Sequence, residues 1–166
     1  MTLLNAELHI NVSILKENIC YLKTRIDKKS NFLAVVKANA YGHSLKKFVE
    51  KLDDCVDGYA LVRLDEALQV RDLSKKPILL MQGIYDDDEA IIAKRNGFMC
   101  VLHTQEQIRT YSRNLENKNI WLKVNTGMNR LGFSENVLND LNLLNIKPSV
   151  LMLDEPTAGV SPIVMD

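Results

Sequence analysis

Short apolar runs alternate along this chain with stretches in which apolar residues recur every three or four positions. Five runs rich in aliphatic residues predict buried strands at about 32–36, 58–62, 78–81, 99–102 and 120–124. The stretches around them predict amphipathic helices. The first, over about 13–28, rests on Leu15, Ile19, Leu22 and Ile26. The chain therefore repeats a strand–helix unit.

Capping residues mark the ends of several predicted helices. The helix after the third strand begins with four acidic residues, 86–89, and is followed by Gly97. Acidic residues suit the positive end of a helix dipole, and glycine suits the left-handed position after the last turn. We therefore interpret the acidic cluster as helix capping and expect no metal there. Thr104 and Gln107 predict a capping box for the next helix, and a further helix is predicted over about 134–144.

Strands that alternate with helices are joined by right-handed crossovers and lie parallel in one sheet. Two α/β architectures have this pattern: a doubly wound sheet and a TIM-type (β/α) barrel. A TIM barrel uses roughly 31 residues for each unit, and the units here are somewhat tighter. The 166 residues hold five complete units, with a sixth strand near residue 150. A barrel built from them would be incomplete.

Composition excludes several classes of protein. The 21 basic and 21 acidic residues give a formal net charge of zero, and no basic patch indicates a nucleic-acid partner. No apolar run approaches the roughly 18 residues of a membrane span, and the N-terminus lacks the pattern of a secretion signal. Cys20, Cys55 and Cys100 are too far apart in sequence to predict a disulfide framework or a zinc site. We therefore expect a cytoplasmic, reduced protein without a metal.

The first candidate for chemistry is the segment VVKANAYGH at 35–43. Lys37 comes directly after a predicted strand, at the carboxyl end where barrel enzymes place catalytic groups. Partial desolvation would favour its neutral amine, which attacks carbonyls. Tyr41 and Gly42 follow with a hydroxyl and a backbone amide that suit a phosphate. The residues alone also allow a second interpretation, in which Lys37 only extends its charge to water from the strand end.

The second candidate is the segment WLKVNTGMNRLGF at 121–133. The fifth strand places Lys123 near its end, and the following loop carries Arg130. A planar, permanently cationic guanidinium beside a cofactor could stabilise a phenolate or a substrate carboxylate. A solvent-exposed loop arginine is the alternative interpretation.

Both segments resemble the pyridoxal-phosphate motifs of alanine racemases. In that family the lysine of the first motif holds the cofactor covalently and acts as a base, and the tyrosine contacts the phosphate. These positions are Lys37 and Tyr41. The arginine of the second motif contacts the cofactor's phenol oxygen and is oriented by a lysine that is carbamylated in several members. These positions are Arg130 and Lys123, and the resemblance adds Arg130 and Met128 as substrate-binding residues.

The resemblance covers about 5–146, because YALVRLDEALQVRDL, PILLMQG and VLHTQEQI also occur in the family's order. It implies an incomplete TIM-type barrel of five to six parallel strands. It also implies interconversion of L- and D-alanine with pyridoxal 5'-phosphate, in a homodimer. Two positions depart from the family: Ser44 replaces a common glycine, and Asn125 replaces a common aspartate.

The family's second base is a tyrosine from the C-terminal domain of the neighbouring subunit, and it lies beyond the region of resemblance. The histidine that stacks on the cofactor ring lies there as well. We therefore expect this chain to be a poor racemase alone. A non-catalytic, cofactor-binding half-barrel is the alternative.

From about residue 147 the sequence changes character. The segment LMLDEPTAGVSP at 151–162 resembles the Walker B region of ABC-transporter ATPases, which would make Asp154 the magnesium-side carboxylate and Glu155 the catalytic one. The chain has no G-x-x-x-x-G-K-[ST] phosphate loop, so nothing would hold a nucleotide. We interpret 147–166 as a foreign tail whose first residues could form a sixth strand.

We expect calorimetry with Mg-ATP to show no binding of the nucleotide to this chain above nonspecific levels.

Overall fold

The computed structural model describes residues 8–114, 120–134 and 150–153. Within these residues, six strands form one parallel sheet. They are β1 (Leu33–Val35), β2 (Gly58–Leu61), β3 (Ile78–Leu80), β4 (Met99–Leu102), β5 (Ile120–Val124) and β6 (Val150–Leu153). The five predicted strands are confirmed, and so is the sixth near residue 150, which pairs with β5.

Helices precede, connect and follow the strands. They are α1 (Val12–Thr24), α2 (Lys37–Tyr41), α3 (Leu45–Leu52), α4 (Leu64–Leu73), α5 (Asp87–Asn96) and α6 (Gln105–Asn114). The predicted caps of α5 are confirmed. The Asp86 carboxyl accepts a hydrogen bond of 2.8 Å from the Glu89 N–H, and Gly97 ends the helix with a φ of +65°.

The strands lie in the sheet in the order in which they occur in the chain. A doubly wound sheet would reverse its strand order at a switch point, whereas a barrel wall adds each strand beside the previous one. The register is continuous across the sheet: Ala60 pairs with Leu79, and Val101 pairs with Trp121. The order therefore confirms an incomplete barrel rather than a doubly wound sheet.

Alternate strand residues belong to two apolar clusters. The larger cluster lies between the sheet and the helices and includes the fully buried Tyr59, Leu80 and Leu122. The smaller cluster lies on the opposite, inner face and consists of Ala60, Leu79 and Val101, with the partly buried Leu33, Met81, Met99, Trp121 and Met152. Because each fully buried aliphatic side chain contributes roughly 1.5–3 kcal/mol, the helix-facing cluster supplies most of the stability. The inner face carries the side chains of a barrel interior.

Helix α1 ends earlier than predicted, at Thr24 rather than near residue 28. Asp27 closes a turn there, because its Oδ1 accepts a hydrogen bond of 2.7 Å from the Lys29 N–H and its carbonyl accepts one of 2.9 Å from the Ser30 N–H. Such side-chain turns compete with helical hydrogen bonds. The apolar pattern alone overestimated the helix by one turn.

Some predictions lie outside the described residues. They are the helix over about 134–144 beyond its first residue, and the carboxylates Asp154 and Glu155. The boundary between 5–146 and 147–166 stays a prediction. Among the helices of the described ranges, none has the length and apolar character needed to cross a bilayer.

Candidate active site

Lys37 directly follows β1 at the carboxyl edge of the sheet. Residues alternate along this strand: Leu33 packs on the inner face, and Ala34 belongs to the helix-facing core. Val36, the residue before Lys37, also belongs to the helix-facing core, and Lys37 itself is half-buried. The structure therefore places the lysine of the first motif at the mouth of the barrel.

The backbone after β1 forms a left-handed turn, α2. The φ angles lie between +52° and +55° at four consecutive positions, Ala38, Asn39, Ala40 and Tyr41. Each L residue in this region costs about 1–2 kcal/mol, and such strain is concentrated at functional sites. The turn is closed by the Gly42 N–H, which donates to the Ala38 carbonyl at 2.9 Å. The residues that follow Lys37 are thus held in a costly conformation.

Glu66 of α4 holds this turn from the next strand–helix unit. It is 9% exposed, and its Oε1 accepts a hydrogen bond of 2.8 Å from the Asn39 N–H. The Asn39 side chain in turn accepts a hydrogen bond of 2.8 Å from the Leu45 N–H at the start of α3. The other Glu66 oxygen, Oε2, is buried and has no hydrogen-bond partner among the described residues. A carboxyl group distant in sequence therefore determines the shape of the lysine turn.

We expect Glu66→Ala to destabilise the fold by about 1–3 kcal/mol, because it leaves the Asn39 N–H without its acceptor. Glu66→Gln keeps an acceptor oxygen and should cost less. Urea unfolding measures both values, with Asp65→Ala at the exposed neighbouring position as the matched control. Equal stability of all three variants would contradict the role given to Glu66.

Lys123, the lysine of the second motif, lies in β5 and is only 5% exposed. Its neighbour Trp121 packs on the inner face, and Lys123 pairs in register with Met152 of β6, which packs there too. Lysines are rarely buried to this extent unless a partner compensates their charge. The structure confirms that β5 carries Lys123 near its end and shows in addition that the residue is buried.

Polar side chains join the ends of β3 and β4. The Gln82 carbonyl accepts hydrogen bonds from Gln107 Nε2 at 2.6 Å and from His103 Nε2 at 3.2 Å. The Gln107 side chain also accepts a hydrogen bond of 2.9 Å from the His103 N–H, and its own N–H lies 3.2 Å from Thr104 Oγ1. The predicted capping box is therefore half formed: Thr104 caps the helix, but the Gln107 side chain binds the His103 N–H instead of the Thr104 N–H. His103 Nδ1 is buried without a hydrogen-bond partner in the described part of the chain.

Burial lowers the pKa of His103 below 6.5, and the nearby positive charge of Lys123 lowers it as well. The folded protein therefore binds this proton less readily than the unfolded chain does. We expect this contribution to stability to be complete above pH 6.5 and to be lost as the pH falls below that value. His103→Gln should flatten the profile of thermal unfolding between about pH 5 and 8. An identical slope in the His103 variant would contradict this assignment.

Hydrogen bonds of two asparagines, Asn125 and Asn129, shape the loop that carries Arg130. The Asn125 N–H donates to the Phe133 carbonyl at 2.9 Å, which ties the loop ends together. Asn125 Oδ1 accepts hydrogen bonds of 3.0 Å from the N–H groups of Gly127 and Asn129, and Asn125 Nδ2 donates to Asn129 Oδ1 at 2.9 Å. An ionised aspartate could not donate this last bond. Asn125 and Asn129 therefore form a matched pair in this chain.

The other predicted site residues are exposed at the same edge. Tyr41 is 58% exposed and Met128 is 37% exposed, and Arg130 is exposed as well. Lys37 and Lys123 lie on or beside strands that are separated by β2, β3 and β4. The structure thus brings both motifs to one edge of the sheet, but on strands that are not neighbours.

Residues 10–152 match the family described as the N-terminal domain of alanine racemase. This chain belongs to the alanine racemase family. An alanine racemase of Mannheimia succiniciproducens is 42% identical over 132 residues, which are 78% of this chain and 37% of the relative. One of Haemophilus influenzae is 39% identical over 126 residues, which are 74% of this chain and 35% of the relative. The chain thus spans just over a third of the length of these relatives.

Solved alanine racemases have the same fold. The biosynthetic alanine racemase of Pseudomonas aeruginosa superposes with a TM-score of 0.72 at 34% identity, over 83% of this chain and 40% of that one. The alanine racemase of Acinetobacter baumannii gives a TM-score of 0.74 at 28% identity, over 93% and 48% of the two chains. These likenesses agree with the barrel-type strand order of this racemase domain.

Sequence reasoning missed part of the site of this alanine racemase domain. Glu66 lies in the first turn of a helix, where acidic residues are common for reasons of the helix dipole. Gln82 and His103 lie in PILLMQG and VLHTQEQI, two segments that the family resemblance covers but to which it gave no role in the site. Their position in the sequence could have identified these three residues, because each lies within five residues of the carboxyl end of a strand.

Proposed function

We propose that this chain is the cofactor-binding barrel of an alanine racemase that interconverts L- and D-alanine with pyridoxal 5'-phosphate. The placement of Lys37 carries the proposal: it lies at the barrel mouth and leads into a strained turn that Glu66 holds. Family membership supports the reaction, since relatives at 42% and 39% identity are named alanine racemases.

The residues present fit this cofactor, which carries an aldehyde, a phosphate and a phenol oxygen. Lys37 offers an amine to the aldehyde, the exposed Tyr41 offers a hydroxyl to the phosphate, and Arg130 offers a guanidinium to the phenol oxygen. His103 Nδ1, which is buried without a hydrogen-bond partner among the described residues, leaves hydrogen-bonding capacity at the same edge. The donors are those that an anionic, aldehyde-bearing molecule requires.

Bound pyridoxal phosphate withdraws electrons from the substrate's α-carbon and so makes its proton removable. In our proposal the Lys37 amine accepts or returns this proton on one face of the substrate. The left-handed turn fixes the direction in which the chain leaves β1 and so positions the amine. Arg130 and Met128 contact the substrate from the loop after β5.

We further propose that Lys123 is carbamylated in the functional protein. The Lys123 ammonium would first release one proton, and the neutral amine would then add to carbon dioxide, forming an N–C bond and releasing a second proton, so that an anion replaces a cation. A buried anion at this position would attract Arg130 and orient it. The burial of Lys123 supports this proposal, because a lysine that is only 5% exposed lies where solvent does not stabilise its ammonium charge.

We also propose that the functional protein is a homodimer of the cytoplasm, without a nucleic-acid or membrane partner. Family membership supports the dimer. The thiols of Cys20, Cys55 and Cys100, which are all free, support a reducing compartment.

The experiment that tests the activity is formation of D-alanine from L-alanine by the purified chain with pyridoxal phosphate. We expect a slow turnover that depends on Lys37. It should lie about 10²–10⁴-fold below that of a complete relative, the usual cost of losing one acid–base group. Covalent labelling of Lys37 without any turnover would favour the non-catalytic half-barrel. Turnover near that of a complete relative would show that this chain supplies both bases.

A further inference from the structure

Two pairs of charged residues hold α1 against the segment that joins α3 to β2. Lys16 Nζ lies 3.1 Å and 2.9 Å from the two carboxylate oxygens of Asp54. Two turns further along, Lys23 Nζ donates to Asp57 Oδ1 at 2.8 Å and to the Cys55 carbonyl at 3.2 Å. These bonds fix the position of α1 along the segment.

Cys20 lies between the two lysines on the same face of α1. It follows Lys16 by four residues and precedes Lys23 by three, and these spacings make side chains neighbours on a helix. On the opposing segment, Cys55 lies between the two aspartates, and its Sγ is 3.3 Å from Asp54 Oδ1. Cys20 and Cys55 therefore both lie at the contact between α1 and the segment, each between two of the charged residues that join them.

The electrostatics of the contact agree with this placement. The pKa of Lys16 is raised mainly by its hydrogen bond to Asp54, and smaller contributions come from the charges of Cys55 and Cys20. The pKa of Cys55 is raised by burial and by Asp54, and to a smaller extent by Cys20.

The third cysteine has a different environment. Cys100 is fully buried between the sheet and the helices, and burial raises the pKa of its thiol to about 12. Cys20 is exposed and Cys55 is half-buried. A reagent in solution therefore reaches the pair on α1 and its neighbouring segment, but not Cys100.

We propose that Cys20 and Cys55 form a thiol-pair site that a low-molecular-weight disulfide, such as glutathione disulfide, oxidises to an intramolecular disulfide. The exposed Cys20 reacts first: its thiolate attacks one sulfur of glutathione disulfide, the S–S bond breaks, and the departing glutathione takes up the proton that Cys20 released. The Cys55 thiolate then attacks Cys20 Sγ in the mixed disulfide and expels the second glutathione. Two protein thiols are oxidised, and one glutathione disulfide is reduced to two glutathione molecules.

The new bond would close a loop that runs from α1 to the end of α3 and contains Lys37 with its turn. A cross-link restricts the unfolded chain more than the folded one, so the oxidised protein unfolds at a higher temperature. The inference rests on the contact of α1 and is independent of the proposed function.

The test is oxidation of the full chain with glutathione disulfide, followed by alkylation of the remaining thiols in denaturant and mass analysis of the unreduced peptides. We expect one cross-linked peptide pair with Cys20 and Cys55, a chain two hydrogen atoms lighter before alkylation, and one alkylated thiol at Cys100. Cys20→Ser and Cys55→Ser should each abolish the cross-link and the rise in unfolding temperature. Cys100→Ser should keep both.

Asp54→Asn provides a second control, because it weakens the ion pair that fixes α1 and should lower the yield of the cross-link. The proposal is overturned by a mixed disulfide that stays on Cys20, by a disulfide between two chains, or by pairing that includes Cys100.

Discussion

Lys37→Ala abolishes covalent attachment of pyridoxal phosphate to this chain. Incubation with the cofactor followed by borohydride reduction should label one peptide of the unmodified protein, the peptide that contains Lys37. The physical reason is position, because this amine lies at the barrel mouth and is only half-exposed. In the variant, peptide mapping should find no label above the background of exposed lysines.

Lys47→Ala is the matched control, since Lys47 is an exposed lysine of α3 near the same turn. Its labelling at Lys37 should equal that of the unmodified chain. Any racemase activity should fall about 10²–10⁴-fold or more in the Lys37 variant. A label of equal yield on another lysine would defeat the assignment.

Gly83→Ala should destabilise the fold by about 2–5 kcal/mol, since the left-handed backbone and the overpacking both contribute. Gly83 follows β3 with a φ of +72°, and a Cβ there would lie 2.3 Å from the Val101 carbonyl oxygen and 3.0 Å from Gln107 Nε2. Relief would require movement of β4 or of the glutamine that bonds Gln82 and His103. Urea unfolding measures the loss.

The variant Gly97→Ala separates the cost of the left-handed backbone from the cost of overpacking. Gly97 has nearly the same backbone conformation, with a φ of +65°, but a Cβ there would meet no atom within 4 Å. It should therefore cost only about 1 kcal/mol, the expense of a left-handed alanine. If both variants lose the same stability, the close approach at Gly83 is not what determines its residue type.

The strands were predictable because their signal is local. A continuous apolar run such as Met99–Leu102 is buried on both faces, and β4 and β5 begin and end where the pattern predicts. Strands β2 and β3 each end one residue earlier than predicted, at the carboxyl edge, and β1 is one residue shorter at each end. No local sequence signal distinguishes a barrel from a doubly wound sheet. The choice between them required the family resemblance, and the strand order then confirmed the barrel.

The conformation after Lys37 could not be predicted from its residues. Alanine has the highest propensity of all residue types for the right-handed helix, yet Ala38 and Ala40 both adopt left-handed backbone angles. The turn is held by a hydrogen bond from the Asn39 N–H to the carboxylate of Glu66, which lies 27 residues away in sequence. Local propensity is overridden by a tertiary contact, and a single sequence contains no signal for that contact. The motif therefore identified the lysine, but not the residue that positions its loop.

The strand order also has a consequence for biosynthesis. Each strand pairs with the strand that the chain produced just before it, and the paired residues are only 19 to 29 positions apart. Contacts this close in sequence require little loop-closure entropy and form early. The chain leaves the ribosome with its N-terminus first. Each new strand can therefore pair with the edge strand of the part of the sheet that has already formed. Both strands of the β1–β2 pair, with the lysine turn between them, are therefore synthesised and available for pairing before the loop that carries Arg130.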